Sequence, residues 1–247
     1  MLLTQEPNIK YGKSVERKER LAENLTELKQ RIKDAANQAG RLPSEIQLIG
    51  VTKYVDAEAT RDLVGAGCKN LGESRPQVFR EKQERLSDLD VNWHLIGHLQ
   101  RNKIKFVLPH VSLIHSVDSM RLIEALEESA AKLERQVHLL LEVNISGEAA
   151  KHGFSQTEIV PALDWIANSK WLNVDGMMGM SRLGGTEDDA KREFENLRRL
   201  QSSLAPKFTG SRVRLKELSM GMTGDFEIAI AAGSTMVRIG SALFEGV

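Results

Sequence analysis

Short apolar runs recur eight times along this chain with helical patterns between them, and that rhythm constrains the fold more than any other feature. The strand-like runs fall at residues 46–52, 70–72, 93–96, 113–117, 137–145, 174–178, 215–219 and 236–239. Segments with helical spacing lie between them at 57–66, 75–86, 102–108, 119–133, 156–168, 187–204 and 225–232. Eight strands separated by helices in 247 residues fit a (β/α)8 TIM-type barrel. A doubly wound open sheet is the main competitor. Its dinucleotide-binding version is weakened because no Gly-x-Gly-x-x-Gly follows the first strand.

The boundaries have chemical reasons. Asp118-Ser119 and Ser155 are suited to cap helix N-termini, Pro76 suits a first helical turn, and Gly65 and Gly67 suit helix ends where a positive φ is needed. An amphipathic segment at 14–39 precedes the first strand, with Leu21, Leu25, Leu28, Ile32, Ala35 and Ala39 at helical spacing and Gly40 as its stop. Its Glu, Lys and Arg residues read as a solvated face. No Pro/Gly/Ser-rich linker divides the chain. The expected organisation is one barrel domain over 14–247 with an extra N-terminal helix, after a flexible polar tail at 1–13 containing Pro7 and Gly12.

Charge and cysteine content narrow the function classes. Lys plus Arg and Asp plus Glu are each 34, so the basic excess of a nucleic-acid binder is missing and no nucleic-acid partner is expected. The single cysteine, Cys68, forms no internal disulfide. No Cys/His cluster has zinc-ligand spacing, so no metal site is expected. Without a run of transmembrane length or a signal-peptide core, a cytoplasmic protein with no membrane partner is expected.

The chemistry-bearing residues sit at strand ends. Lys53 follows the run Ile46–Val51, which places an amine at the C-terminal face, where barrel active sites form. A strand-end lysine is commonly just a solvated charge. An amine in a desolvated or cation-rich setting can instead attack a carbonyl. Ser219-Met220-Gly221-Met222 ends the seventh strand and Gly240-Ser241 the eighth. Barrel phosphates often bind after those two strands, where glycine admits backbone N–H groups and serine adds a donor. Arg238, inside the eighth strand, needs a structural carboxylate or a ligand acceptor as partner.

These residues belong to an ordered series: Val51-Thr52-Lys53, Leu71-Gly72-Glu73-Ser74, Trp93 through Lys103 (WHLIGHLQRNK), Ile114-His115-Ser116-Val117-Asp118, Val143 through Glu148 (VNISGE), Leu218 through Met222 (LSMGM) and Gly233 through Gly240. The series resembles the pyridoxal phosphate homeostasis protein family, whose fold resembles the barrel domain of fold-type III enzymes such as alanine racemase. The likeness covers roughly residues 15–247. It implies a non-catalytic protein that holds pyridoxal 5′-phosphate (PLP) covalently on Lys53 as an internal aldimine, in vitamin B6 homeostasis and linked amino-acid and keto-acid balance. By the same resemblance Ser219, Gly240 and Ser241 surround the phosphate, with Ser234 and Thr235 near it. Arg238 lies by the pyridine nitrogen, where a cation disfavours protonation and weakens the ring as an electron sink, and Asn144 lines the ring. Apo PLP-enzymes are the implied recipients, and a monomer is expected. One segment departs from the commoner family pattern: Gly72-Glu73 is followed by Ser74-Arg75-Pro76-Gln77.

Two enzymatic readings compete. A PLP-dependent racemase needs a second acid/base opposite the lysine. In the alanine racemases this is a tyrosine brought by an added domain and a second subunit. Here the only tyrosines are Tyr11 and Tyr54, and Val247 comes just after the eighth strand, so that reading is disfavoured. A Schiff-base aldolase would use Lys53 without a cofactor and leave most of the motif series unexplained. His94 and His98 lie where an acid/base could act but read more simply as hydrogen-bonded structural residues, as does His115. Met177, Met178, Met180, Trp165 and Trp171 read as packing.

Overall fold

In a computed structural model that describes residues 14–148 and 152–247, eight parallel strands close into one barrel in sequence order, from β1 round to β8 and back to β1. They are β1 (Gln47–Val51), β2 (Asn70–Glu73), β3 (Asn92–Leu95), β4 (Leu113–Val117), β5 (Val137–Glu142), β6 (Leu172–Met178), β7 (Val213–Ser219) and β8 (Met236–Ile239). The helices are α1 (Ser14–Gln38), α2 (Ala57–Gly65), α3 (Pro76–Arg85), α4 (Ile104–Val107), α5 (Met120–Lys132), α6 (Gln156–Ala167), α7 (Glu187–Leu204) and α8 (Phe226–Ala231). The (β/α)8 expectation from the strand–helix rhythm is met. The tail at 1–13 lies outside the described residues.

The N-terminal helix completes the helical ring. A short 3-10 turn, Ser241–Phe244, follows β8, and α1 packs against that turn, α8 and α2. Leu21, Leu25, Leu28 and Ile32 on its inner stripe are all buried. Asn24 donates to the carbonyls of Leu243 and Glu245, and Arg31 pairs with Glu227 on α8.

Several local signals act as the sequence suggests. Gly40 and Gly67 take φ of +68° and +99°, conformations that cost other residues strain. Ser155 and Glu158 form a reciprocal capping box. Ser119 is the N-cap of α5, but its hydroxyl donates to the Asp118 side chain instead of capping the backbone. β5 ends at Glu142, short of the expected residue 145, because Asn144 turns the chain away.

The main core lies between strands and helices, with Trp165 and Trp171 packed against its edge. A smaller cluster of Ile49, Leu113, Leu140, Met178 and Met236 fills the lumen. Among the described residues no helix is long and apolar enough to cross a membrane.

Candidate functional site

Lys53 stands two residues beyond β1 at the C-terminal mouth, and hydrogen bonds pin the backbone on both sides of it. The Thr52 N–H donates to the Gly72 carbonyl at 3.0 Å. The Thr52 carbonyl accepts from Lys82 Nζ on α3 at 2.6 Å, and the Lys53 carbonyl accepts from Arg75 at 2.9 Å. Thr52 Oγ1 also donates to Glu73 Oε1 at 2.8 Å, and Glu73 forms a buried ion pair with Lys82. The departure at Ser74-Arg75-Pro76 is thus absorbed locally: Arg75 holds the lysine's own carbonyl, and Pro76 opens α3. Lys53 is half-buried, with Nζ 4.7 Å from the centre of the exposed Tyr54 ring. Among the described residues no carboxylate pairs with it, which leaves the amine available.

Across the lumen runs a buried polar chain. Arg238 on β8 donates to the Ser219 carbonyl at 2.8 Å, to Ser219 Oγ at 2.5 Å and to the Gly179 carbonyl at 3.2 Å. Ser219 Oγ lies 2.8 Å from His115 Nδ1, and His115 Nε2 lies 2.9 Å from His94 Nδ1. A guanidinium only donates, whereas a hydroxyl accepts twice and donates once, so two arrangements satisfy every link: Ser219 donates to His115 and His115 to His94, or His94 donates to His115 and His115 to Ser219. In both, the buried His94 Nε2 has no partner among the described residues. Burial drives both imidazoles toward the neutral form, His94 to about 4 and His115 well below the usual histidine range. Burial also lowers Arg238, to about 10, with Asp225 and Glu142 opposing; at neutral pH it keeps its charge. His115 is structural, as expected, but as part of this chain.

The other expected site residues divide into two groups. Gly240 and Ser241 follow β8 at the C-terminal mouth, and Ser241 Oγ donates to Thr223 Oγ1 at 3.1 Å, joining the loops after β7 and β8. A Cβ on Gly240 would sit 3.3 Å from Val51 Cβ, so the ends of β1 and β8 approach closely there. Ser234 and Thr235 precede β8 at its opposite end. Ser234 is fully buried, with its hydroxyl against the carbonyls of Leu218, Met220 and Met236. Thr235 Oγ1 donates to Glu217 at 2.6 Å. Both hydroxyls tie β7 to β8. Asn144 Oδ1 accepts from Gly147 N–H, and its Nδ2 donates to the Glu148 carbonyl, so its side chain shapes the loop after β5.

Sequence reading missed Glu142, the last residue of β5. It is buried beside a cleft of about 540 Å³ that is also lined by Met180, Arg182, Thr186, Met222 and Asp225. Lys53 stands outside that lining. The signal was available: a carboxylate inside Leu139-Leu140-Leu141-Glu142-Val143 is as anomalous as an arginine in β8. Burial first, then the Asp118 charge, pushes the Glu142 carboxyl up to about 7, with Arg238 and His98 opposing. A carboxyl raised in the folded state contributes stability that is complete below its ordinary value near 4.5 and is lost as pH rises through about 7. Glu142→Gln removes that loss. Relative to wild type it is expected to gain on the order of 3 kcal/mol on going from pH 4.5 to pH 8, measured by urea unfolding at both pH values. The comparison between variants cancels His94 and His115, whose lowered values act with the opposite sign.

A closed parallel barrel with an amine at the end of β1 and a buried arginine in β8 defines the class, and comparison with known proteins agrees. The profile of the alanine racemase N-terminal domain family matches residues 18–246. The pyridoxal phosphate homeostasis protein of Aquifex aeolicus is 37% identical over 222 residues, covering 90% of this chain and 96% of that one. The Escherichia coli K12 protein of the same name is 34% identical over 230 residues, covering 91% and 95%. The solved structure of Synechococcus elongatus PipY with PLP bound superposes with a TM-score of 0.80 at 34% identity, covering 91% of this chain and 99% of that one. Alanine racemase of Corynebacterium glutamicum, at 17% identity and TM-score 0.66, shares the fold over 60% of its own length. The chain belongs to the alanine racemase N-terminal domain family and, within it, to the pyridoxal phosphate homeostasis proteins.

Proposed function

We propose that this protein binds PLP reversibly and non-catalytically, as a cytoplasmic monomer that buffers the cofactor and passes it to apo-enzymes. The observation that carries the reading is the Lys53 amine, which pairs with no carboxylate among the described residues, on a doubly pinned backbone at the mouth of a barrel of this family. The donor set fits the group: an amine for the aldehyde, backbone N–H groups and Ser241 at the loops after β7 and β8 for the phosphate, and Arg238 for the ring. PLP, when bound, supplies an electrophilic aldehyde and a conjugated ring that can stabilise a carbanion. Lys53 Nζ forms a C=N bond to the aldehyde carbon, the carbonyl oxygen leaves as water, and hydrolysis or exchange with another amine reverses it. Arg238 holds a positive charge inside the barrel, which opposes protonation of a nearby pyridine nitrogen and so works against carbanion chemistry. Ser219, in contact with Arg238 and His115, orients the guanidinium. Ser234 and Thr235 take the part of strand ties, and Asn144 shapes the rim.

Titration with PLP is expected to turn the protein yellow. Borohydride should fix the cofactor on the peptide containing Lys53, as read by mass spectrometry, and Lys53→Ala should abolish both signals. A wild type that stays colourless in excess PLP sinks the proposal. Useful exchange of an amino acid's α-proton by the loaded protein would move it to the racemase-like reading.

A further inference from the structure

Three polar side chains that the cofactor reading leaves unused converge at the C-terminal face. His98 lies in the loop after β3, Asp118 directly after β4, and His152 in the connection between β5 and α6. Twenty and thirty-four residues separate them in sequence, which is why local zinc-ligand spacing gave no hint of them. Successive barrel strands bring their loops side by side. His98 Nδ1 lies 2.8 Å from Asp118 Oδ2, and His152 Nδ1 lies 3.6 Å from the same oxygen. The two imidazoles stack with centroids 4.4 Å apart and planes 17° from parallel. One ligand atom from each residue lies within 4.8 Å of the others.

We infer that His98, Asp118 and His152 form a binding site for a first-row divalent transition metal ion such as Zn2+ or Co2+. Ligands on one such ion lie about 2.0–2.2 Å from it, so small side-chain rotations from the present separations suffice. The donor chemistry selects the ion: two imidazoles and one carboxylate suit Zn2+, Co2+ or Ni2+, whereas Mg2+ and Ca2+ take oxygen ligands. The side chain of Asp118 is only 6% exposed. Its Oδ1 accepts from Ser119 Oγ at 3.1 Å, the kind of outer hydrogen bond that fixes a ligating carboxylate. His98 and His152 are exposed, at 46% and 63%, so the ion can enter from solvent without opening the fold. Three protein ligands leave at least one coordination position for water or a small anion. A plain His–Asp hydrogen bond explains the His98 contact, but it does not explain a second imidazole aimed at the same oxygen.

Lys53 is not one of the three proposed ligands, and the test keeps the two sites apart. Untagged full-length protein is dialysed against Zn2+ in the presence of excess Mg2+, and bound metal is counted by elemental analysis. Cobalt(II) absorption then reports the ligand field. One ion per chain is expected. His98→Ala and His152→Ala should each weaken binding by about 10- to 100-fold or more, taking the loss for an outer-shell partner as the floor, while Lys53→Ala binds as wild type does. Both histidine variants change exposed side chains, and circular dichroism verifies their fold. Substoichiometric binding, displacement by Mg2+, or unchanged affinity in either histidine variant overturns the assignment. Loss of binding in Lys53→Ala would also overturn it by placing the ion at the amine.

Discussion

Lys82→Met is expected to destabilise the protein by about 3–5 kcal/mol, because it leaves the Glu73 carboxylate buried without its cation. Glu73 is completely buried and the Lys82 side chain is 4% exposed. Water is therefore poorly placed to take over for the missing ammonium. Burial outweighs the attraction of Glu73 and holds the Lys82 amine below its ordinary value, the signature of an ion pair that is costly to assemble. Such a pair adds little net stability over apolar residues of similar size. Its use here is positional, since Lys82 also donates to the Thr52 carbonyl, the acceptor of the peptide that enters Lys53. The double variant Glu73→Leu/Lys82→Met separates the two effects. Urea unfolding should show much of the lost stability regained, while PLP affinity stays reduced by about tenfold or more. If the double variant loads PLP like wild type, the pair is structural and does not position Lys53.

Most of the barrel was legible because most of its strands are buried on both faces, β7 with its exposed Arg214 and Lys216 being the exception. They read as short apolar runs, and the strand drawn furthest past its end, β5, stops where an Asn-centred turn interrupts it. Lys53, Arg238, Ser219 and the Gly240-Ser241 turn were likewise visible, because each breaks an apolar pattern or carries a glycine at a strand end. Ser234 and Thr235 show the limit. They lie in the same motif as Arg238, yet a strand between motif members carries them to opposite ends of the barrel. Contacts made across the lumen or between strand and helix left no local trace. His115 meets Ser219 from 104 residues away, and Glu73 meets Lys82 by facing outward from β2 onto α3. Glu142 was legible in principle, since the argument that singled out Arg238 applies to it with the sign of the charge reversed.

Arg238→Met should disturb the site more than the fold. The Ser219 carbonyl keeps the Gly179 N–H as a donor at 3.1 Å, so the cost falls mainly on the buried Gly179 carbonyl, about 1–3 kcal/mol. Methionine replaces most of the volume without a charge. Electrostatically the change is larger. Arg238 opposes the rise of the Glu142 carboxyl, so removing it is expected to carry that group above 7, and its repulsion of a protonated His115 vanishes too. A heteronuclear NMR titration of Glu142 and His115 follows both groups directly. In the proposed site the variant also loses a charge-assisted contact worth about 1.5–3 kcal/mol, or roughly 10- to 100-fold in PLP affinity. The bound cofactor's absorption should gain pH dependence as its ring nitrogen becomes protonatable. Unaltered affinity together with an unaltered spectrum would separate Arg238 from the cofactor and leave it as the cation that holds β6, β7 and β8 together.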